Sequence, residues 1–119
     1  MNKALLMTWA LCAGLLSLLS TPAPAQEITG NAEAGKNYFA VCAACHGADG
    51  TGNQQMGAPA LRNASDWYLL SQLEKFRAGI RGTDPRNPNG AVMRPMAMTL
   101  PDDQALKDVV AYIGTLSTQ

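Results

Sequence analysis

Cys42-Ala43-Ala44-Cys45-His46 sets two thiols and one imidazole within five residues. Thiols in a C-x-x-C spacing can add to the two vinyl groups of a single haem, and the adjoining imidazole can then bind the iron from one face. Covalent attachment lets a short chain keep a large flat group without a deep pocket. Other uses of these residues explain less of the sequence. A structural zinc site wants four protein ligands, and beyond residue 25 the chain offers two cysteines and one histidine. A thioredoxin-like redox pair belongs in a βαβ setting. A plain disulfide leaves His46 and the later methionines without a role.

The iron of such a haem has a second axial position. His46 is the only histidine, so two imidazoles on one iron are excluded within one chain. Beyond residue 25 the methionines are Met56, Met93, Met96 and Met98. A thioether suits an electron carrier because it favours ferrous iron and raises the potential. Met56 stands on the short loop after His46, the loop expected to cover the imidazole side. Met93, Met96 and Met98 precede the last helix, where the chain can cross the opposite face. Met98, close to Pro101, is expected to pack beneath Tyr112. Residue type and position alone leave these three open as ligands or as gap-filling core residues.

The first 25 residues are built differently from the rest. Lys3 is followed by an apolar run, Ala4 to Ser20, and then by Pro22-Ala23-Pro24-Ala25 with its A-x-A arrangement. That is the layout of a secretory signal peptide cleaved before Gln26. The apolar run lies near the lower limit of a spanning helix, ~17–25 residues, and the A-x-A site favours cleavage over anchoring. The expectation is a periplasmic protein with no stable membrane insertion, and Cys12 belongs to the leader. Residues 26–119 form one domain with eight Lys+Arg and nine Asp+Glu. Such a balance lacks the basic surface that a nucleic-acid partner requires. Fourteen of its apolar residues are alanine. The large hydrophobes are therefore sparse for a domain core, and a bound cofactor is the economical way to fill it.

The elements that must position these groups are helical. From Asn31, an N-cap residue, Ala34, Tyr38, Val41 and Cys45 fall on one helical stripe that stops at His46-Gly47. GADGTGNQQMGAP is loop by composition. A second helix starts near Ser65-Asp66, with Leu69, Leu73, Phe76 and Ile80 on one face and Gly79 or Gly82 at its end. RGTDPRNPNG reads as an extended loop leading into the methionine stretch. The last helix begins near Pro101, with Asp102 and Asp103 by its positive end and Ala105, Val109, Tyr112 and Leu116 as its stripe. No segment shows sustained β alternation. The fold class is all-α.

The chain resembles the class I c-type cytochromes, of the small bacterial periplasmic sort similar to the halves of dihaem cytochromes. The resemblance runs through AEAGKNYFAVCAACHGADGTG, GAPAL, WYLLSQLEKFRAGIRG, the methionine loop GAVMRPMAMTL and DDQALKDVVAYIGTL, in the family's order and spacing. It implies a cytochrome c fold, three main helices plus loops wrapped around one covalently attached haem c. Gly35 and Tyr38 or Phe39 would then meet the Val109–Tyr112 face. Pro59 would offer its carbonyl to the proximal imidazole, and Leu61 would pack on the haem. The family's ligand usually stands seven residues before the apolar residue leading into the last helix. Counted back from Leu100 that is Met93, with Met96 as the alternative.

The function implied is electron transfer by a carrier with His46/Met93 ligation, not an enzyme, since no general acid or base stands out. The alternative is a cytochrome subunit permanently bound to a dehydrogenase or oxidase. A haem enzyme or gas sensor with an open sixth position is disfavoured by the supply of methionines. Partners would be redox proteins, a donor dehydrogenase or membrane complex and an acceptor oxidase or reductase. Lys75, Arg77, Arg81, Arg86 and Arg94, against Asp84 alone, form a basic run that could orient such a partner. Trp67, Tyr68, Arg62 and Arg94 are the residues available to hold haem propionates.

Overall fold

A computed structural model describes residues 28–117; the leader expected over residues 1–25 lies outside the described residues. Helix α1, Ala32–His46, starts where the Asn31 side chain accepts hydrogen bonds from the backbone N–H groups of Glu33 (3.0 Å) and Ala34 (3.2 Å). Two of the four donors that a helix start leaves open are thereby satisfied. Its buried residues are Gly35, Phe39 and His46. That face is one step round from the expected Ala34–Tyr38–Val41–Cys45 stripe, and Val41 is exposed.

The cause is the partner helix α4, Asp103–Leu116, on which α1 packs. A Cβ at Gly35 would collide with the Asp108 backbone carbonyl, so the glycine face is the one that admits this close crossing. Phe39 then meets Tyr112, with ring centroids 5.2 Å apart and planes tilted by 54°. Asp108, buried in α4, accepts from the Asn31 backbone N–H (2.7 Å) and from Gln104 Nε2 (2.8 Å). The start of α1 is thus tied to the middle of α4.

Asp102 caps α4 by accepting from Ala105 N–H at 2.8 Å, which leaves Pro101 just outside the helix rather than in its first turn. Leu106, Val109, Val110 and Ile113 of α4 form the core with Phe39, Leu69, Leu100, Ala105 and Leu116. Helix α2, Asp66–Arg77, contributes Leu69 to this cluster and buries Phe76 as well. After α2 the chain turns through Gly79 at φ 73°, and Ile80, expected on the buried face, is exposed instead.

The methionine stretch, expected as loop, is helix α3, Pro88–Met98. Asn87 caps it by accepting from Gly90 N–H at 2.9 Å, and Pro88 opens its first turn, where a missing N–H costs nothing. Pro95 lies inside α3 and removes one ladder bond. Ala97, fully buried, and packing of α3 on α2 hold the segment helical nonetheless. The all-α class stands, with four helices rather than three and no strand among the described residues. None of their helices is long and apolar enough to cross a membrane.

Candidate functional site

The last turn and a half of α1 carries both thiols and the imidazole. Cys42 and Cys45, three residues apart, share one side of the helix. Both are half-buried and neither is in a disulfide. The Cys42 thiol donates to the Tyr38 carbonyl at 3.7 Å. Burial pushes this thiol above its ordinary value; a backbone hydrogen bond opposes the shift and neighbouring Cys45 adds to it. A reactive redox pair needs the opposite, a depressed thiol such as a helix N-terminus supplies. Here the pair ends its helix. Among the described residues, no three His, Cys, Asp or Glu side chains gather to hold a bare metal ion.

His46 is buried, 4% exposed. The loop after it folds back through Gly52 N–H donating to the His46 carbonyl (2.7 Å) and Leu61 N–H donating to the Gly50 carbonyl (2.8 Å). Asn53 and Ala58 exchange backbone bonds of 2.8 and 2.9 Å around a single 3-10 turn, Gln54–Met56. This delivers the Pro59 carbonyl oxygen to 2.7 Å from His46 Nδ1. A carbonyl oxygen can only accept, so Nδ1 must carry the hydrogen. Nε2 is then the nitrogen left to bind a metal, and it has no hydrogen-bond partner among the described residues. That is the tautomer and the orienting contact of a metal-ligating histidine. Two thiols on one helical side beside this imidazole are the donor set that a covalently held haem requires.

Of the four methionines beyond residue 25, Met56, Met96 and Met98 are exposed and Met93 is half-buried. Gly90 and Ala97 mark the buried line of α3. Met93, three residues after one and four before the other, shares that face, whereas Met96 lies further round. Met98, expected beneath Tyr112, is 55% exposed, because the helical register turns it away from the buried line. Leu61 is partly buried and packs against the core cluster.

Two of the five cations in the basic run have carboxylate partners. Arg77 pairs with Asp103 (3.0 Å), Arg86 with Asp84 (2.7 Å), and Arg81 donates to Gln72 Oε1 (2.6 Å) while lying 4.6 Å above the Phe76 ring centroid. Sequence reasoning missed the buried carboxylate Asp108, whose only signal was an acidic residue inside the apolar stretch of the last helix.

A family model described as Cytochrome c matches residues 32–117. The chain is 38% identical over 87 residues to cytochrome c4 of Stutzerimonas stutzeri, covering 72% of this chain and 41% of that protein. It is 39% identical over 86 residues to cytochrome c-554(548) of Halomonas halodenitrificans, covering 72% of this chain and 96% of that protein. It is also 37% identical over 100 residues to a thiosulfate dehydrogenase electron acceptor of Thiomonas intermedia, covering 84% and 41% of the two chains. The chain spans half or less of the cytochromes c4 that it matches.

Proposed function

Because the chain belongs to the cytochrome c family, we propose that it is a periplasmic electron carrier. It holds one haem c through thioether bonds to Cys42 and Cys45, with His46 and Met93 on the iron. The observation that carries this reading is the buried His46, adjoining two undisulfided cysteines and held through Nδ1 by the Pro59 carbonyl at 2.7 Å. When bound, the haem supplies a one-electron ferric–ferrous couple.

The chain's own residues do the rest. Cys42 and Cys45 fix the group to α1, so it cannot be lost between partners. The Pro59 carbonyl holds the imidazole in one tautomer and one orientation, which limits rearrangement when the charge on iron changes. The residue as a whole is buried, so the surrounding fold fixes the ring's place. The half-buried position of Met93 on the inward line of α3 supports it over Met96 as the thioether ligand. The relative named as a thiosulfate dehydrogenase electron acceptor supports partners of the redox class, a donor dehydrogenase or membrane complex and an acceptor oxidase or reductase.

Mass spectrometry of protein from the native periplasm tests the reading, with a chain starting at Gln26 and one added haem expected. Its ferric spectrum should show the weak far-red charge-transfer band of methionine ligation. A haem-free chain, or a spectrum with an open sixth position, overturns the proposal. On size exclusion a free carrier runs near its monomer mass, whereas co-elution with a dehydrogenase or oxidase makes it a permanent subunit.

A further inference from the structure

Arg94 stands on α3 beside Met93, half-buried. Its Nε is closed off from solvent and has no hydrogen-bond partner. Among the described residues its guanidinium makes no hydrogen bond or ion pair. A guanidinium whose Nε is shut off from water without a counter-charge is costly to keep. The turn after α2 nevertheless provides a seat for it. A Cβ at Gly79 would lie 3.5 Å from Arg94 Nη2 and 3.6 Å from Nε, so the guanidinium rests against that turn. A Cβ at Gly82 would come within 2.9 Å of Arg94 Cβ and 3.1 Å of Phe76 Cδ1, so glycine there leaves room for the side chain. The fold makes space for a cation and, among the described residues, brings no carboxylate to it. Asp84 is engaged by Arg86 and Asp103 by Arg77.

No described residue supplies the missing anion. A haem carries two propionates, anions that enter the fold with the ring. We propose that Arg94 is the residue that pairs with a haem propionate. This rests on the haem-binding reading above and deepens it by assigning the propionate partner. The other residues of suitable type are otherwise placed. Trp67 is 68% and Tyr68 45% exposed, so water meets their donors. Arg62 lies close enough to Asp49 to help hold its carboxyl below the usual carboxylate range. Arg62 has a closed-off Nε as well, but it has interactions within the fold; Arg94 differs from these three in combining a closed-off Nε with the lack of any partner among the described residues. Its positive charge beside the haem favours the ferrous state, and neutralising a propionate acts in the same direction.

The test compares wild type, Arg94→Gln and Arg94→Lys, each matured with haem in a periplasm. The readouts are the midpoint potential and the propionate-bending band in resonance Raman. Arg94→Gln should lower the potential and shift the band. Arg94→Lys should restore most of the potential, through its charge, but not the band, because an ammonium cannot reproduce the planar two-nitrogen contact. An unchanged potential and band in haem-loaded Arg94→Gln overturns the proposal. Should that variant fail to mature, Arg94→Lys decides: a shifted band supports the pairing and an unshifted one refutes it. Absence of covalent haem from the wild type would instead defeat the haem reading itself, so the two failures are distinct.

Discussion

Met93 and Met96 differ by three residues, which on a helix is a rotation of about 60°. That angle separates a thioether on the inward line of α3 from one 39% exposed. Met93→Ala should abolish the ferric far-red band and lower the midpoint potential, because the ligand that favours ferrous iron is gone. Met96→Ala should leave both in place. Optical spectra and redox titration of the two haem-loaded variants check this. If Met96→Ala alone loses the band, the ligand stands three residues later and α3 must rotate to present it. At the same scale, His46 shows how one backbone oxygen can select a tautomer: the Pro59 carbonyl cannot donate, so the imidazole must.

The crossing of α1 and α4 is set by which small residues lie between them. At Gly35 a side chain would meet the Asp108 backbone carbonyl, an atom that cannot swing aside. Gly35→Ala should therefore destabilise the holoprotein by about 1–3 kcal/mol or more, as overpacking does, despite alanine's better helix propensity. Gly114, also in α4, is the contrasting case, since a Cβ there would lie 3.6 Å from Asp66 Oδ1 in ordinary contact. Gly114→Ala should be neutral or stabilise by up to about 1 kcal/mol, the helix-propensity difference. Denaturant melts of the two variants measure both. Equal effects would mean that the close approach at Gly35 does not limit the packing.

The described residues are built around α4, which provides six of the nine members of their core cluster. Two of the eleven buried hydrophobic residues among those described are alanines. So small a core leaves little to offset the conformational entropy of a domain this size. A haem attached to α1 and bound only by the native state adds stability by linkage. The doubly substituted chain Cys42→Ala/Cys45→Ala, which cannot form the thioether links, should lose much of its helical circular dichroism. Cooperative, native-like melting of that variant would show that the polypeptide core suffices by itself.

What the sequence determined is what depends on neighbours along the chain. The C-x-x-C-H motif is a local spacing, and whatever the fold, two thiols and an imidazole sit within one helical turn and a half. The helix start at Asn31 was legible because a cap side chain bonds the backbone two or three residues on, and that of α4 was placed near Pro101, just before its actual cap Asp102. Long-range contacts decided the rest. In an alanine-rich helix such as α1 several stripes are nearly equally apolar, and the Gly35 face was selected by how near α4 could come. The methionine stretch was expected as loop, yet it is helical around Pro95, where burial of Ala97 and packing on α2 outweigh one lost hydrogen bond. The contact between Pro59 and His46 crosses thirteen residues of folded loop, and its acceptor is a backbone oxygen that every residue type possesses. Arg94 was one of four side chains of suitable chemistry for a propionate; its burial without a counter-charge exists only once α3 lies against the turn that follows α2.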